Sequence, residues 1–371
     1  MKTVSVYTRS GESSGSSYYR IFQYQKNIEC KFINRIVVPQ KVYSKYNKSI
    51  GIKRKFYQIL FYFLAYIRVI TFLVKDIFLK PDVLFVSRAI MPKIAPFPII
   101  PLMKTAFKKA KKVVWDIDDD IFEAREITKK EKELLEKFSS KIIVTTEDLK
   151  RYFSADRQED IVQLFTTDGD FVEDNLDQIM NARKKRYDEG ELTLVWLATY
   201  TSLPFVEDIV PYLDESAKII KDISGKSVVL EIVCNRELNV KTQDLIINNL
   251  IWKRDLACQR AQNAHVGIYP LRNTIQAKGK SGFKLLQYMS VGLPTISSNV
   301  GVTSEIVTNG EDGVVVSSEE LSQWKDSLIA LSQSWELIES MGRKAKKTWD
   351  NGYSYFENLR ILTEILCGES E

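Results

Sequence analysis

Twelve short apolar runs alternate with helix-length stretches from one end of this chain to the other, and that alternation leaves few folds open. It is the pattern of stacked βα units, in which parallel strands are buried on both faces and read as continuous apolar segments. In the first half, strands are expected at Val4–Tyr7, Phe32–Val38, Val83–Ser87, Val113–Asp116, Ile142–Thr145 and Ile161–Leu164. The alternation restarts with Leu192–Leu197, Val228–Val233, Leu245–Trp252, Val266–Tyr269, Thr295–Ser298 and Gly313–Val316. Lys129–Phe138, with its alternating charges, reads as an exposed helix. Three amphipathic helices are expected to close the chain, at Glu319–Gln333, Trp335–Trp349 and Tyr355–Leu366.

The polar stretch from Asp168 through Asn181–Tyr187 to Gly190 reads as a linker between the two halves. A chain of 371 residues exceeds one ordinary core and suits two α/β domains. The expected division is residues 1–180, residues 190–350 and a closing segment, 351–371, able to cross back to the first domain. Two doubly wound domains joined this way hold ligands in a cleft between them, at the carboxyl ends of the strands.

Composition narrows the chemistry. With 44% hydrophobic and 27% charged residues, the balance is that of a globular chain rather than a disordered or fibrous one. Cys30, Cys234, Cys258 and Cys367 are scattered, with no pair at CxxC spacing. This argues against a disulfide framework or a cysteine zinc site and suits a reducing cytoplasm. The single histidine, His265, precedes an apolar strand and reads as a packed residue rather than a base. Thr3–Tyr7 reads as a buried first strand rather than part of a secretory signal.

The net charge of +5 conceals an asymmetry. Residues 41–112 contain 16 basic residues and only Asp76 and Asp82 as acids, giving +14; residues 1–40 carry +4 and residues 113–371 carry −13. One region of the first half is therefore expected to face an anionic surface. It contains the aromatic run Phe56–Ile67, preceded by Lys53, Arg54 and Lys55 and followed by Arg68, Val69–Val74 and Lys75. A membrane-spanning helix needs about 20 apolar residues with few charges, and Arg68 interrupts this stretch. An interfacial helix at an anionic inner-membrane surface fits better, with Lys104, Lys108, Lys109, Lys111 and Lys112 as a second basic patch. A core helix with a solvated basic end is the alternative. No nucleic-acid motif accompanies the charge, so nucleic acid is not the expected partner.

The most informative segment is Gly279–Gly301, followed by Glu305 and the Asn309–Gly313 turn. A glycine- and lysine-rich loop runs into a helix beginning near Gly282. Free amide groups at that helix start, with Lys280 and Lys284, make a diphosphate site. The helix is expected to end at Gly292, with Pro294 stopping it before the next strand. The turn after Asn299 brings Glu305 towards the same place.

This stretch resembles the donor-binding region of family 4 glycosyltransferases (glycosyl transferases group 1), through its helix, G-x-P turn, short strand, G…E-I/V segment and G…G turn. The resemblance extends over the second half through Val195–Tyr200 and Ala264–Leu271, and more weakly over the first through Ser10–Arg20, Phe85–Arg88 and Val114–Phe122. It implies the GT-B architecture, two Rossmann-like domains facing each other across a cleft. It also implies transfer of a sugar from a UDP-, GDP- or dTDP-sugar to a glycan acceptor, in bacterial surface polysaccharide assembly, with retention of anomeric configuration. A lipid-linked oligosaccharide acceptor would account for the basic, aromatic first half.

On this reading Lys280 and Lys284 stabilise the leaving diphosphate. Ser281, Gly282, Phe283, Gln287, Thr199, Trp252 and Glu305 line the donor site, and no metal or other cofactor is required. Gly11, Ser16, Arg20, Arg88, Asp118 and Asp119 are the acceptor-side candidates. The run Asp116–Asp120 is also compatible with metal binding or helix capping. Three departures stand out. The family's pair of glutamates separated by seven residues is replaced by Gly279 and Gln287, the loop 197–202 lacks the family's arginine, and a histidine often found in the family's first domain is absent. These departures leave a second reading open, that of a non-catalytic relative acting as a binding or partner subunit at the membrane.

Overall fold

The computed structural model describes residues 1–12, 14–172 and 175–368. The chain forms two compact units, one comprising residues 1–166 with the closing segment from Phe356, the other Thr167–Tyr355.

The first unit is built on six parallel strands: β1 (Thr3–Thr8), β2 (Lys31–Ile36), β3 (Val83–Ser87), β4 (Lys112–Ile117), β5 (Lys141–Val144) and β6 (Ile161–Gln163), in the order β2-β1-β3-β4-β5-β6. Registers such as Val4↔Val83 and Val114↔Lys141 fix the sheet. Apart from their first residues, β1 and β4 are buried throughout, as is all of β3, which is why each reads as an unbroken apolar run. Helices α1 (Gly15–Arg20), α2 (Gln40–Lys48), α3 (Gly51–Leu79), α4 (Ile99–Lys109) and α5 (Lys129–Phe138) connect the strands.

The aromatic basic segment is the single helix α3. It buries Phe61, Ala65, Val69, Leu73 and Asp76 along one face, at spacings of four and then three residues. Asp76 is fully buried and pins the helix to the sheet, accepting hydrogen bonds from Ser5 (2.9 Å) and Tyr7 (2.7 Å) and pairing with Arg35 (2.5 Å). Arg68, read as an interruption, points inward instead and donates to the Ile36 carbonyl (2.8 Å).

The second unit repeats the plan with β7 (Glu191–Leu197), β8 (Ser227–Cys234), β9 (Ile246–Ile251), β10 (Val266–Tyr269), β11 (Thr295–Ser298) and β12 (Gly313–Val316), in the order β12-β11-β10-β7-β8-β9. Its helices are α6 (Leu176–Asp188), α7 (Leu203–Ser224), α8 (Arg254–Asn263), α9 (Ile275–Lys278), α10 (Phe283–Ser290), α11 (Thr303–Ile306), α12 (Ser322–Ser332) and α13 (Trp335–Gly352). The last helix, α14 (Tyr355–Cys367), belongs to the first unit from Phe356 onward.

Two expectations are corrected. The stretch read as a linker folds as α6. Besides the buried Ile179, Met180 and Tyr187, its anchor is Arg183, which is fully buried and donates to the carbonyls of Gly292 (2.6 Å), Val291 (3.0 Å), Ala261 (3.1 Å) and Gln262 (2.9 Å). These carbonyls close the ends of α8 and α10, where a cation is favoured. Second, although the cysteine spacing argues against a disulfide framework, Cys30 and Cys367 form a disulfide that ties the end of α14 to the start of β2.

Candidate active site

In the second unit the chain leaves β7 and β10 in opposite directions across the sheet. These neighbouring strands form the topological switch point, whose carboxyl end is where open α/β sheets bind ligands. The residues there are the loops 198–202 and 270–282. The second loop delivers the chain into α10 through Gly282, whose φ of +68° is the left-handed conformation that glycine adopts freely. A Cβ at Gly282 would lie 2.4 Å from Ile306, so α11 packs against the start of α10. Gly301 has φ +60°, and a Cβ there would lie 2.7 Å from the Lys278 carbonyl. Substitution at either glycine would therefore push the α11 turn away from the loop that precedes α10.

The two lysines sit at this corner. Lys280 Nζ is 3.3 Å from Ser202 Oγ and 5.1 Å from the centre of the Phe205 ring, which links the α10 entry to the loop after β7. Lys284 donates to Gln287 Oε1 (2.9 Å). Gln287 Nε2 in turn donates to Asp168 Oδ2 (2.6 Å), and both of these residues are buried. Burial lowers the Lys284 ammonium to about 8, with Asp168 acting in the opposite sense. Burial also raises the Asp168 carboxyl to about 6, against the hydrogen bond from Gln287. An ammonium beside a helix start whose pKa is lowered by burial gains from an incoming anion, which offsets its lost hydration.

Ser281, Gly282 and Phe283 form the α10 entry itself; the Phe283 ring lies 5.0 Å from Lys284 Nζ. Thr199 is exposed in the loop after β7, its hydroxyl 2.9 Å from that of Thr201. Glu305 is exposed on the α11 turn. Trp252 departs from expectation. It follows β9, the edge strand, two strands from β7, or about 10 Å at ordinary strand spacing. It is not gathered into the Lys280–Gln287 cluster. His265 is fully buried, its Nδ1 accepting from the Thr193 amide (2.8 Å) and its Nε2 lying 2.9 Å from the Arg183 carbonyl; burial lowers its pKa to about 4. It is a packing residue.

In the first unit, the candidates cluster at the carboxyl ends of β1, β3 and β4. Arg88 follows β3 with φ +66°, a strained conformation for a non-glycine residue. Its amide donates to Asp116 O (2.7 Å), and its carbonyl accepts from Trp115 Nε1 (2.8 Å). Its guanidinium lies 3.3 Å from both Asp118 and Asp119 and 3.5 Å from Glu126. Burial opposes its charge, but these three acids raise the Arg88 pKa well above the ordinary arginine value. Burial would raise Asp118, but Arg88 and a hydrogen bond from Ser16 hold it below the usual carboxylate range. Gly11 is buried in the loop after β1.

Arg20 is corrected. It is almost fully buried, pairs with Asp116 at 2.5 Å and donates to Leu164 O (2.6 Å), so it braces the unit and presents no free edge to an acceptor. Sequence reasoning missed Arg9 and Glu126, which pair at 2.5 Å beside Arg88, and Asp168, whose side-chain partner Gln287 lies 119 residues away. Asp120, within the acidic run, caps the turn at Phe122 and Glu123 and accepts from Tyr152 (2.6 Å). Among the described residues, no group of three or more His, Cys, Asp or Glu is arranged to hold a metal ion.

Residues 198–334, which carry this corner, match the family model described as Glycosyl transferases group 1. The whole chain superimposes on the Anabaena protein Alr3699/HepE, solved in complex with UDP and glucose, with a TM-score of 0.64 at 9% identity and full coverage of both chains. The chain has the GT-B fold, and its second unit carries the stretch that is similar to group 1 glycosyl transferases. WaaG, a glycosyltransferase involved in lipopolysaccharide biosynthesis, is also similar over both full chains (TM-score 0.58, 12% identity). A curated relative, the N-acetyl-alpha-D-glucosaminyl L-malate synthase of Bacillus anthracis, is 25% identical over 189 residues. That match spans 50% of this chain and 47% of the relative.

Proposed function

We propose that this GT-B chain transfers a sugar from a nucleotide-sugar donor to a hydroxyl of a lipid-linked glycan in bacterial surface polysaccharide assembly. The observation that carries the reading is the placement of Lys280 and Lys284 around the α10 entry, at the switch point of the second sheet. In the reaction, the bond between the anomeric carbon and the diphosphate oxygen breaks and a bond to the acceptor oxygen forms. The acceptor proton leaves with the diphosphate. The two ammonium groups and the helix start would stabilise the charge that develops on the leaving oxygen, the largest contribution such a site can make. The chain's own cations meet the diphosphate in this scheme, so transfer is expected to continue in EDTA. Among the described residues no nucleophile stands out at the corner, and a front-face displacement with retention is the accompanying proposal.

Thermal-shift titration with UDP, GDP and dTDP, followed by transfer assays with the matching sugars, tests the donor assignment. One nucleotide should raise the melting temperature; silence with all three would contradict it. Affinity should fall as pH rises through about 8, because Lys284 then loses its proton. Calorimetry at that pH, in two buffers of different ionisation heat, should show proton uptake on binding.

The lipid side of the proposal rests on α3. Opposite its buried stripe, Ile52, Phe56, Ile59, Phe63, Ile67, Val74 and Phe78 form a second stripe, between 37% and 87% exposed. Lys53, Arg54 and Lys55 flank its start. This is the arrangement of a helix lying in the headgroup boundary of an anionic bilayer. In flotation with vesicles containing phosphatidylglycerol, the chain should float at low salt and less at high salt. Phe56→Ser with Phe63→Ser should lower partitioning by roughly tenfold or more. Failure of the wild-type chain to float at low salt would remove the membrane assignment.

A further inference from the structure

Asp168 stands outside every role assigned so far. Its position is nevertheless among the most firmly fixed in the second unit. Asp168 Oδ1 accepts from the Asp170 amide (3.0 Å) and caps the turn Gly169–Phe171. Phe171 is buried in the same cluster as Val195, Leu197, Tyr288 and Val291, and its carbonyl accepts from Ser290 Oγ (3.3 Å). Cys258 Sγ contacts the Asp170 carbonyl (3.4 Å). The segment is thus held against α8 and α10 independently of Asp168's second oxygen.

That oxygen, Oδ2, receives Gln287 Nε2 at 2.6 Å. A primary amide has one donating and one accepting end, an ionised carboxylate only accepts, and an ammonium only donates. Asp168 therefore dictates the sense of the Gln287 amide: with the nitrogen turned inward, the oxygen must face Lys284, where it receives the ammonium at 2.9 Å. Inverting the amide would set oxygen against carboxylate and nitrogen against ammonium. The relay carries a negative charge to the floor of the corner and holds the Lys284 ammonium in place.

We propose that Asp168 is a positioning residue of the donor site, setting the Lys284 ammonium through Gln287. The proposal rests on the assignment of a nucleoside diphosphate to Lys284 and adds the residue that aims it. A simple capping role for Asp168 predicts something different, because asparagine preserves the cap: its oxygen still accepts from the Asp170 amide. Asparagine would, however, offer an NH2 to the NH2 of Gln287, favouring inversion of that amide and loss of the Lys284 contact.

The test is calorimetric binding of UDP, GDP and dTDP to the full chain, with urea midpoints as the check on folding. Asp168→Asn should weaken the nucleotide that binds wild type by about 10-fold or more, the scale of one charge-assisted contact. Gln287→Leu, which leaves the cap untouched, should cause a similar loss. In the double variant Asp168→Asn with Gln287→Glu, the new carboxylate accepts from both the asparagine amide and Lys284, and affinity should return to within about threefold of wild type. Wild-type affinity in Asp168→Asn, or a double variant no better than that single variant, overturns the proposal. A wild-type chain that binds none of the three nucleotides removes the donor assignment and the proposal together.

Discussion

Replacing Lys280 and Lys284 together by alanine is expected to reduce sugar transfer by roughly 100- to 10,000-fold while leaving the fold intact. Each charge-assisted contact to a leaving oxygen in a partly dry site is worth about 1.5–3 kcal/mol, and two such losses act on the same charge. The fold should tolerate the change, because removing the Lys284 ammonium also removes the cost of burying its charge. Single replacements should each lose part of the rate, and less than additively, since the remaining ammonium can shift towards the diphosphate. Turnover and urea midpoint should be measured on the same preparations. A variant that keeps both its midpoint and its turnover would show that the leaving group is not stabilised here. A chain that keeps a cellular role without turnover would instead match a non-catalytic relative.

The second large effect concerns stability. Arg20→Met should lower the unfolding free energy by about 3–5 kcal/mol, because it strands the buried Asp116 carboxylate that Arg20 meets at 2.5 Å. Burial already pushes the Asp116 carboxyl up, and Arg20, more than Arg88, pulls it back, so losing Arg20 shifts the acid further towards its protonated form. Adding Asp116→Leu to Arg20→Met should recover part of the loss, since an apolar pair avoids the desolvation of two ions. Urea denaturation measures both steps. Unchanged stability in Arg20→Met, accompanied by a raised KM for acceptor, would instead return Arg20 to the acceptor site.

The strands were legible for one physical reason. Parallel strands covered on both faces favour apolar residues, and each ends where the chain must turn, so β3, β10 and β12 begin and end where expected, while β11 (Thr-Ile-Ser-Ser) is marked by the Pro294 that precedes it. The α10 entry was legible because glycine and proline mark a helix start and stop locally. What escaped were the long-range charge contacts. Nothing near residue 183 in sequence indicates that an arginine would anchor α6 by four carbonyls, so a polar helix resembled a linker. Arg20 and Asp116 lie 96 residues apart, and Asp168 and Gln287 lie 119 apart. Cys30 and Cys367 are separated by 337. A lone arginine after a serine-glycine loop reads as a ligand contact, and an aspartate in a polar stretch reads as solvent-facing, until the fold supplies the partner.

The most direct measurement is a crystal structure of the full chain grown with the nucleoside diphosphate that gives the largest thermal shift. The phosphates should lie within hydrogen-bonding distance of Lys280 Nζ or Lys284 Nζ and of the amides that open α10. A nucleotide bound elsewhere on the chain, with Lys284 still closed onto Gln287 and Asp168, would contradict the account.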